Sequence, residues 1–468
     1  MSRPVDGRPG PWVVAGTGVS LALMVALYVR VFALGDLLAQ VDAFLILHTL
    51  IFAAYAALAF FVLRGRRTLG VGWFIFAAAG IAVLLLLRRT TVSSDMYRYL
   101  WDGWILKAGF NPYLILPVDP RLASFQASDL FRSLYWTQEY TPYPPVAQLI
   151  FAAAHTAYAA LGLPAAKLVL ALPVVILAAL LYRTVGRPWF VLFILNPLVL
   201  FESFHGGHID AWATLFAFLA YRLFVADSLI LSAGLLGLGA LTKVFPAIFL
   251  PLFVADLWKR QRFRDALVYG AVFGGVVVAS YLPFTLTSPF PVARLVSFAR
   301  TFHFNAPVFN FASRALAALG GSEETTLRLC GLALVLALAG LAWRRRVSAL
   351  TVSAAYALYL LLTPQVYSWY TLFLVPVWFL VFHESGDRRR VYALIALQCL
   401  LGLTYFVGSP LAYNAPAARK EWGGQVFMGV ELLAAAAVWW SFRGLRRGDG
   451  PAVSTSTPPR TGEKPCEP

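Results

Sequence analysis

Short clusters of arginine and lysine punctuate this chain, and the runs between them carry few charges. Runs such as 12–34, 165–182, 265–284 and 326–343 are almost wholly apolar. About 20 such residues, wound as a helix, cross the ~30 Å hydrocarbon core of a bilayer. A backbone in lipid must satisfy its own hydrogen bonds, so only helices and closed barrels span it. Barrel strands alternate in polarity, and unbroken apolar runs exclude them. Hydrophobic residues make up 60% of the chain and charged residues 13%, against roughly half and a quarter in soluble domains. The expectation is an all-α polytopic membrane protein with about 11–14 transmembrane helices. The first run, Trp12 to Leu34, is too long for a signal h-region and lacks a small-x-small cleavage site. It reads as a retained transmembrane helix.

The net charge of +16 does not point to nucleic acid. The basic residues sit between apolar runs, the pattern of cytoplasmic loops. Cys330, Cys399 and Cys466 offer neither a disulfide framework nor metal spacing. The clusters Arg64/Arg66/Arg67, Arg183/Arg187, Lys259/Arg260/Arg262/Arg264, Arg344/Arg345/Arg346, Arg388/Arg389/Arg390 and Arg443/Arg446/Arg447 should face the cytoplasm, so even numbers of crossings separate them. Of the stretches 69–87, 146–162 and 165–182, one therefore does not cross. The stretch 146–162, which carries Gln148 and His155, reads as a juxtamembrane or re-entrant helix. The stretch 228–257 would be ~45 Å long as one helix, so a break is expected at Lys243-Val244-Phe245-Pro246. The predicted organisation is a helical hairpin over 1–68, a catalytic module over 69–285, further helices over 286–442 and a disordered tail over 443–468. Both termini are expected in the cytoplasm, with the inserts 90–163 and 285–325 on the outer face of a cell membrane.

Within the first insert, Asp95, Arg98 and Asp102 stand at i, i+3 and i+7, on one helical face. Met96, Leu100, Trp101, Trp104 and Ile105 fall mainly on the other side. This predicts a helix lying on a membrane surface with its charges turned up. The topology brings further polar residues to the same level. They are Arg88, Arg89, Tyr97, Tyr143, Gln148, His205, His208, Asp210, Lys243, His303, Tyr367, Trp369 and Tyr370. Charged groups at membrane depth are costly and usually face a site. Asp95, beside Arg98 at a helix start, is the candidate general base for a sugar hydroxyl; a plain cap after Ser93-Ser94 is the alternative. For Asp102 a salt bridge to Arg98 competes with a substrate role. The turn His205-Gly206-Gly207-His208-Ile209-Asp210 opens a helix that can bind phosphate. A His-x-x-His-x-Asp metal site or a capped turn are its other readings. Lys243 can neutralise a phosphate leaving group or snorkel to the interface. The aromatics of 367–370 also suit a membrane-interface belt.

These elements resemble the C-type-fold integral-membrane glycosyltransferases, and most closely their polyprenyl-phosphate-mannose-dependent, family 87-like branch. The residues that carry the resemblance are Ser94-Asp95-Met96-Tyr97-Arg98-Tyr99-Leu100-Trp101-Asp102-Gly103, Gly109-Phe110-Asn111-Pro112-Tyr113 and Tyr143-Pro144-Pro145-Val146-Ala147-Gln148. Asn196-Pro197-Leu198, Gly207-His208-Ile209-Asp210 and Leu241-Thr242-Lys243 add to it, and Tyr367-Ser368-Trp369-Tyr370 is suggestive. The resemblance implies that Asp95 is the catalytic base. It implies inverting transfer of a sugar, mannose in that branch, from a polyprenyl phosphate to a lipid-linked or glycan acceptor at the outer membrane face. No cofactor and no metal are implied. A flippase for lipid-linked sugars, or a C-type enzyme using another sugar, is the alternative function.

Overall fold

Proline and glycine divide the apolar runs into helices. A computed structural model describes residues 10–37, 39–65, 68–285 and 304–403, with positions 433 and 436. His303, the tail 443–468 and most of the predicted helix 424–441 lie outside the described residues. Helices α1 (Pro11–Ala33), α2 (Val41–Arg64) and α3 (Val71–Leu87) lead into the first insert. Within it, α4 (Asp95–Lys107) and α5 (Pro145–Leu161) flank short turns. Pro145 opens α5, and Gly162, at φ 80°, reverses the chain into α6 (Leu163–Val185). Next come α7 (Arg187–Ile194) and the segment Pro197–His205, bent by 49° at the Asn196-Pro197 junction. Helices α8 (Asp210–Val225), α9 (Leu229–Ala240), α10 (Leu250–Lys259) and α11 (Phe263–Thr285) follow. After the undescribed stretch come α12 (Pro307–Ala317), α13 (Glu323–Arg344), α14 (Ala349–Leu362), α15 (Leu374–Ser385) and α16 (Val391–Leu403).

The protein is thus an all-α polytopic membrane protein. Five described helices are long and apolar enough to cross a bilayer alone: α1, α2, α6, α11 and α13. The bent pair α7 and Pro197–His205 is a broken span or a re-entrant loop, and would be a sixth crossing if it is one span. Helices α3, α5, α9 and α14 are apolar but shorter. The break expected inside 228–257 is present: α9 stops at Ala240, and a tight helical turn over Phe245–Phe249 carries Pro246. Lys243 stands in that break.

The insert is not a flat surface helix. Helix α4 lies across α5 with Tyr99 stacked on Phe151 at 4.3 Å and Trp104 stacked on His155 at 5.4 Å. Met96, Tyr99, Leu100, Trp101, Ala147, Phe151, Leu170 and Ile209 form a second core under them. Burial of each large side chain there contributes about 1.5–3 kcal/mol. The expected upturned charges are buried as well: Arg98 is 8% exposed and Asp102 2%. They survive burial because they hold each other, Arg98 Nε to Asp102 Oδ1 at 2.8 Å. Arg98 also donates to the Trp136 carbonyl at 2.9 Å. Burial pushes the Asp102 carboxyl up, and the Arg98 charge pulls it back. The insert is tied to the bundle where Val146 N and Ala147 N donate to the Leu241 carbonyl at 3.0 and 3.2 Å.

Gly103 permits the α4–α5 contact, since a Cβ there would sit 2.2 Å from the Phe151 carbonyl oxygen. Helix propensity alone favours alanine by ~1 kcal/mol, but a clash with backbone outweighs it, at a cost of about 1–3 kcal/mol. Gly103→Ala is therefore expected to lower the melting temperature of the detergent-solubilised protein, and a rise would refute this packing. Arg98→Gln strands a buried carboxylate and is expected to cost about 3–5 kcal/mol. Adding Asp102→Asn should recover part of that loss in the same melting assay. Equal melting of the single and double variants would count against the pair.

Candidate active site

Four turns of the chain meet at the start of α4. Asp95 is the first residue of that helix, and its backbone N–H donates to Ser93 Oγ at 3.3 Å. Ser94 makes no side-chain cap. Asp95 Oδ2 lies 3.8 Å from Nδ1 of His208, with the carboxylate side chain 29% exposed and the imidazole fully buried. The opposite ring nitrogen, Nε2, lies 3.3 Å from Glu202 Oε2. Ser368 Oγ donates to the other oxygen of Glu202 at 2.6 Å. Three elements separated in sequence thus place an imidazole between two carboxylates.

Gly206 of the 205–210 turn makes room for this imidazole. A Cβ on Gly206 would meet His208 Cδ2 at 2.6 Å. Gly207 has φ +66, a left-handed conformation that favours glycine, and packs against Met96 of α4. The ring face of His208 stacks on Trp369 at 3.9 Å, and Trp369 stacks on Tyr367 at 4.6 Å. Tyr367 in turn stacks on Phe304 at 4.7 Å.

A second cluster adjoins the first. Asp210 opens α8, and Lys243 Nζ donates to both its oxygens, at 2.6 and 2.7 Å. The same ammonium lies 4.0 Å from the ring centroid of Tyr370. Asp210 therefore occupies the helix start that the sequence suggested for a phosphate, already neutralised by Lys243. The metal reading of the turn fares no better. His208 points to Asp95 and Glu202 while Asp210 points to Lys243, and no group of three suitable side chains converges among the described residues.

The other predicted residues are placed as follows. Arg98 pairs with Asp102 rather than steadying Asp95; its spacing allowed both partners, and the buried one prevails. Tyr97 OH donates to the Thr90 carbonyl at 2.8 Å and accepts from Arg89 Nε at 3.3 Å. Arg89 also reaches Ser133 Oγ at 3.1 Å. Arg88 instead turns to the end of α1, donating to the carbonyls of Val31 at 2.6 Å, Phe32 at 2.7 Å and Gly35. Gln148 donates to Thr141 Oγ1 at 3.0 Å, behind Asp102. Tyr143 packs edge-on to Tyr99 at 5.0 Å. Burial, and then the negative charge of Asp95, hold the Tyr143 phenol well above its ordinary range. His205 is fully buried, its ring against Phe201 at 4.6 Å and its carbonyl accepting from Thr90 Oγ1 at 2.8 Å. His303 lies outside the described residues.

Sequence reasoning passed over Glu202. Its signal was available: it is the one acid in the apolar stretch 188–204, where an unpartnered charge is costly. Ser368 carries no such signal, since it stands among the aromatics of the 367–370 turn.

Residues 11–260, more than half of the chain, match the MptA_B family in its alpha-(1->6)-mannopyranosyltransferase N-terminal domain. No match was found among curated proteins or solved structures. The matched region contains Asp95, Glu202, His208, Asp210 and Lys243, and the chain belongs to the MptA_B family of mannosyltransferases.

Proposed function

We propose that this protein transfers mannose from a polyprenyl-phosphate donor to a hydroxyl of a lipid-linked or glycan acceptor, with Asp95 as general base. One observation carries the reading. Arg98 is engaged by Asp102 and Lys243 by Asp210, whereas among the described residues no lysine or arginine pairs with Asp95, which remains partly exposed. A carboxylate that no cation occupies has its oxygens open to an incoming hydroxyl.

The chemistry is one displacement. The acceptor oxygen bonds to the anomeric carbon as Asp95 takes its proton. The bond from that carbon to the donor phosphate breaks, and its electron pair leaves on the lipid phosphate. Inversion of a β-linked donor gives the α linkage in the family's description. Lys243, a short rotation from Asp210, supplies positive charge to the departing phosphate. Tyr370 and Trp369 line the same region. In this reading the apolar helices would form a groove for the isoprenoid tail. The site lies, in this reading, on the extracytoplasmic side of the cell membrane, with both termini in the cytoplasm and the organisation 1–68, 69–285, 286–442 and 443–468. No cofactor is required.

In detergent or nanodiscs, Asp95→Asn is expected to lower transfer from labelled polyprenyl-phosphate-mannose by about 100-fold or more, with expression unchanged. Near-normal turnover would reject Asp95 as the base. Lys243→Ala should raise the donor KM about tenfold, equivalent to ~1.4 kcal/mol, with a smaller change for the acceptor. An unchanged donor KM would remove the phosphate role.

A further inference from the structure

We infer that Glu202 and His208 form a proton relay behind Asp95: Glu202 is a positioning residue that holds the Nε2 proton of His208, so that the Nδ1 lone pair faces Asp95 and takes the acceptor's proton from it. This rests on Asp95 being the base, as proposed above.

The geometry supports each link. Glu202 is 2% exposed and cannot move far, because Ser368 holds one of its oxygens at 2.6 Å. Its other oxygen faces Nε2 at 3.3 Å. The His208 ring is clamped by Trp369 on one face, and Gly206 leaves it space. Among the described residues neither ring nitrogen makes a hydrogen bond, so both are open to the carboxylates that face them. In the relay Nε2–H turns to that fixed carboxylate, and the neutral imidazole then presents an acceptor at Nδ1. The 3.8 Å gap to Asp95 is long for a hydrogen bond, and such gaps tighten in the reacting complex.

The proton balance closes. The acceptor O–H bond breaks to form an O–H bond on Asp95. That proton then passes from Oδ2 to Nδ1 and Asp95 is ionised again. The imidazolium is held between Asp95 and Glu202 until its proton leaves to solvent or to the released lipid phosphate. The titratable groups around His208 are Asp95 from α4, Glu202 and His205 from the segment before it, and Asp210 from α8, the last held by Lys243.

The test uses the full-length protein with polyprenyl-phosphate-mannose and an alkyl α-mannoside acceptor, comparing wild type, Glu202→Gln, His208→Gln and Asp95→Asn. Glu202→Gln keeps the volume and the oxygen that Ser368 bonds but removes the charge. It is expected to lower kcat by about 10–100-fold, the usual cost of losing such a supporting partner, with donor KM within about twofold. The acid limb of its pH–rate profile should move to lower pH, because the imidazolium loses its counter-charge. A merely structural Glu202 would lower the melting temperature and leave the shape of the profile unchanged; that result overturns the relay. If Glu202→Gln does not fold, His208→Gln gives the same reading: kcat falls with donor KM kept, and wild-type kcat refutes the inference. Inactive Asp95→Asn alongside fully active Glu202→Gln sinks the relay and leaves Asp95 as base. Active Asp95→Asn sinks both.

Discussion

A charge inside an apolar bundle needs a partner, and the site follows from which groups its cations hold. Arg98 closes on Asp102 inside the α4–α5 core. Lys243 closes on Asp210 at the break between α9 and the Phe245–Phe249 turn. Arg88 is engaged by carbonyls at the end of α1. Lys167, fully buried in α6, donates to the Arg88 carbonyl at 2.6 Å. Each of these contacts offsets the desolvation of a buried cation. Their joint effect is to leave Asp95, the acid at the exposed start of α4, facing an imidazole instead of a cation.

Rigidity around that acid comes from close packing. Gly103 lets α4 touch the backbone of α5, and α5 hangs from the Leu241 carbonyl beside Lys243. The insert and the lysine turn are therefore mechanically one unit. Gly206 leaves room for the His208 ring, which stacks on Trp369, and Gly207 packs against Met96, so that three distant stretches of chain meet at this turn. Preorganised groups of this kind need little rearrangement when charge develops during reaction. Lys243 differs from them: it is 21% exposed and rests on one carboxylate and one aromatic ring, which suits a cation that changes partner.

Much of the fold was legible in the sequence, because helix length and helix breaks are local properties. The apolar runs became helices, Pro145 and Gly162 bounded α5, and the excess length of 228–257 forced a break at Lys243. Asp95, His208, Asp210 and Lys243 were legible as polar residues that an apolar chain would have to gather. Glu202 was not, because it lies within an apolar run and its partners lie at position 208 and at position 368, far along the chain. The surface-helix reading of α4 went wrong for a related reason. Polarity marked Arg98 and Asp102 as exposed, while mutual neutralisation with Trp136 and Thr141 nearby allowed their burial.

The amino-acid sequence by itself determined the helical class, the polar insert and the break that carries Lys243. These follow from hydrophobic length and from proline and glycine, which act over a few neighbouring residues. Tertiary structure alone decided the pairings. Arg98 stands three residues from Asp95 and four from Asp102, and helix geometry permits either bond. The core of α4 on α5 buries Asp102 and leaves Asp95 at the rim; a buried carboxylate needs the cation more, and that difference in desolvation selects the partner.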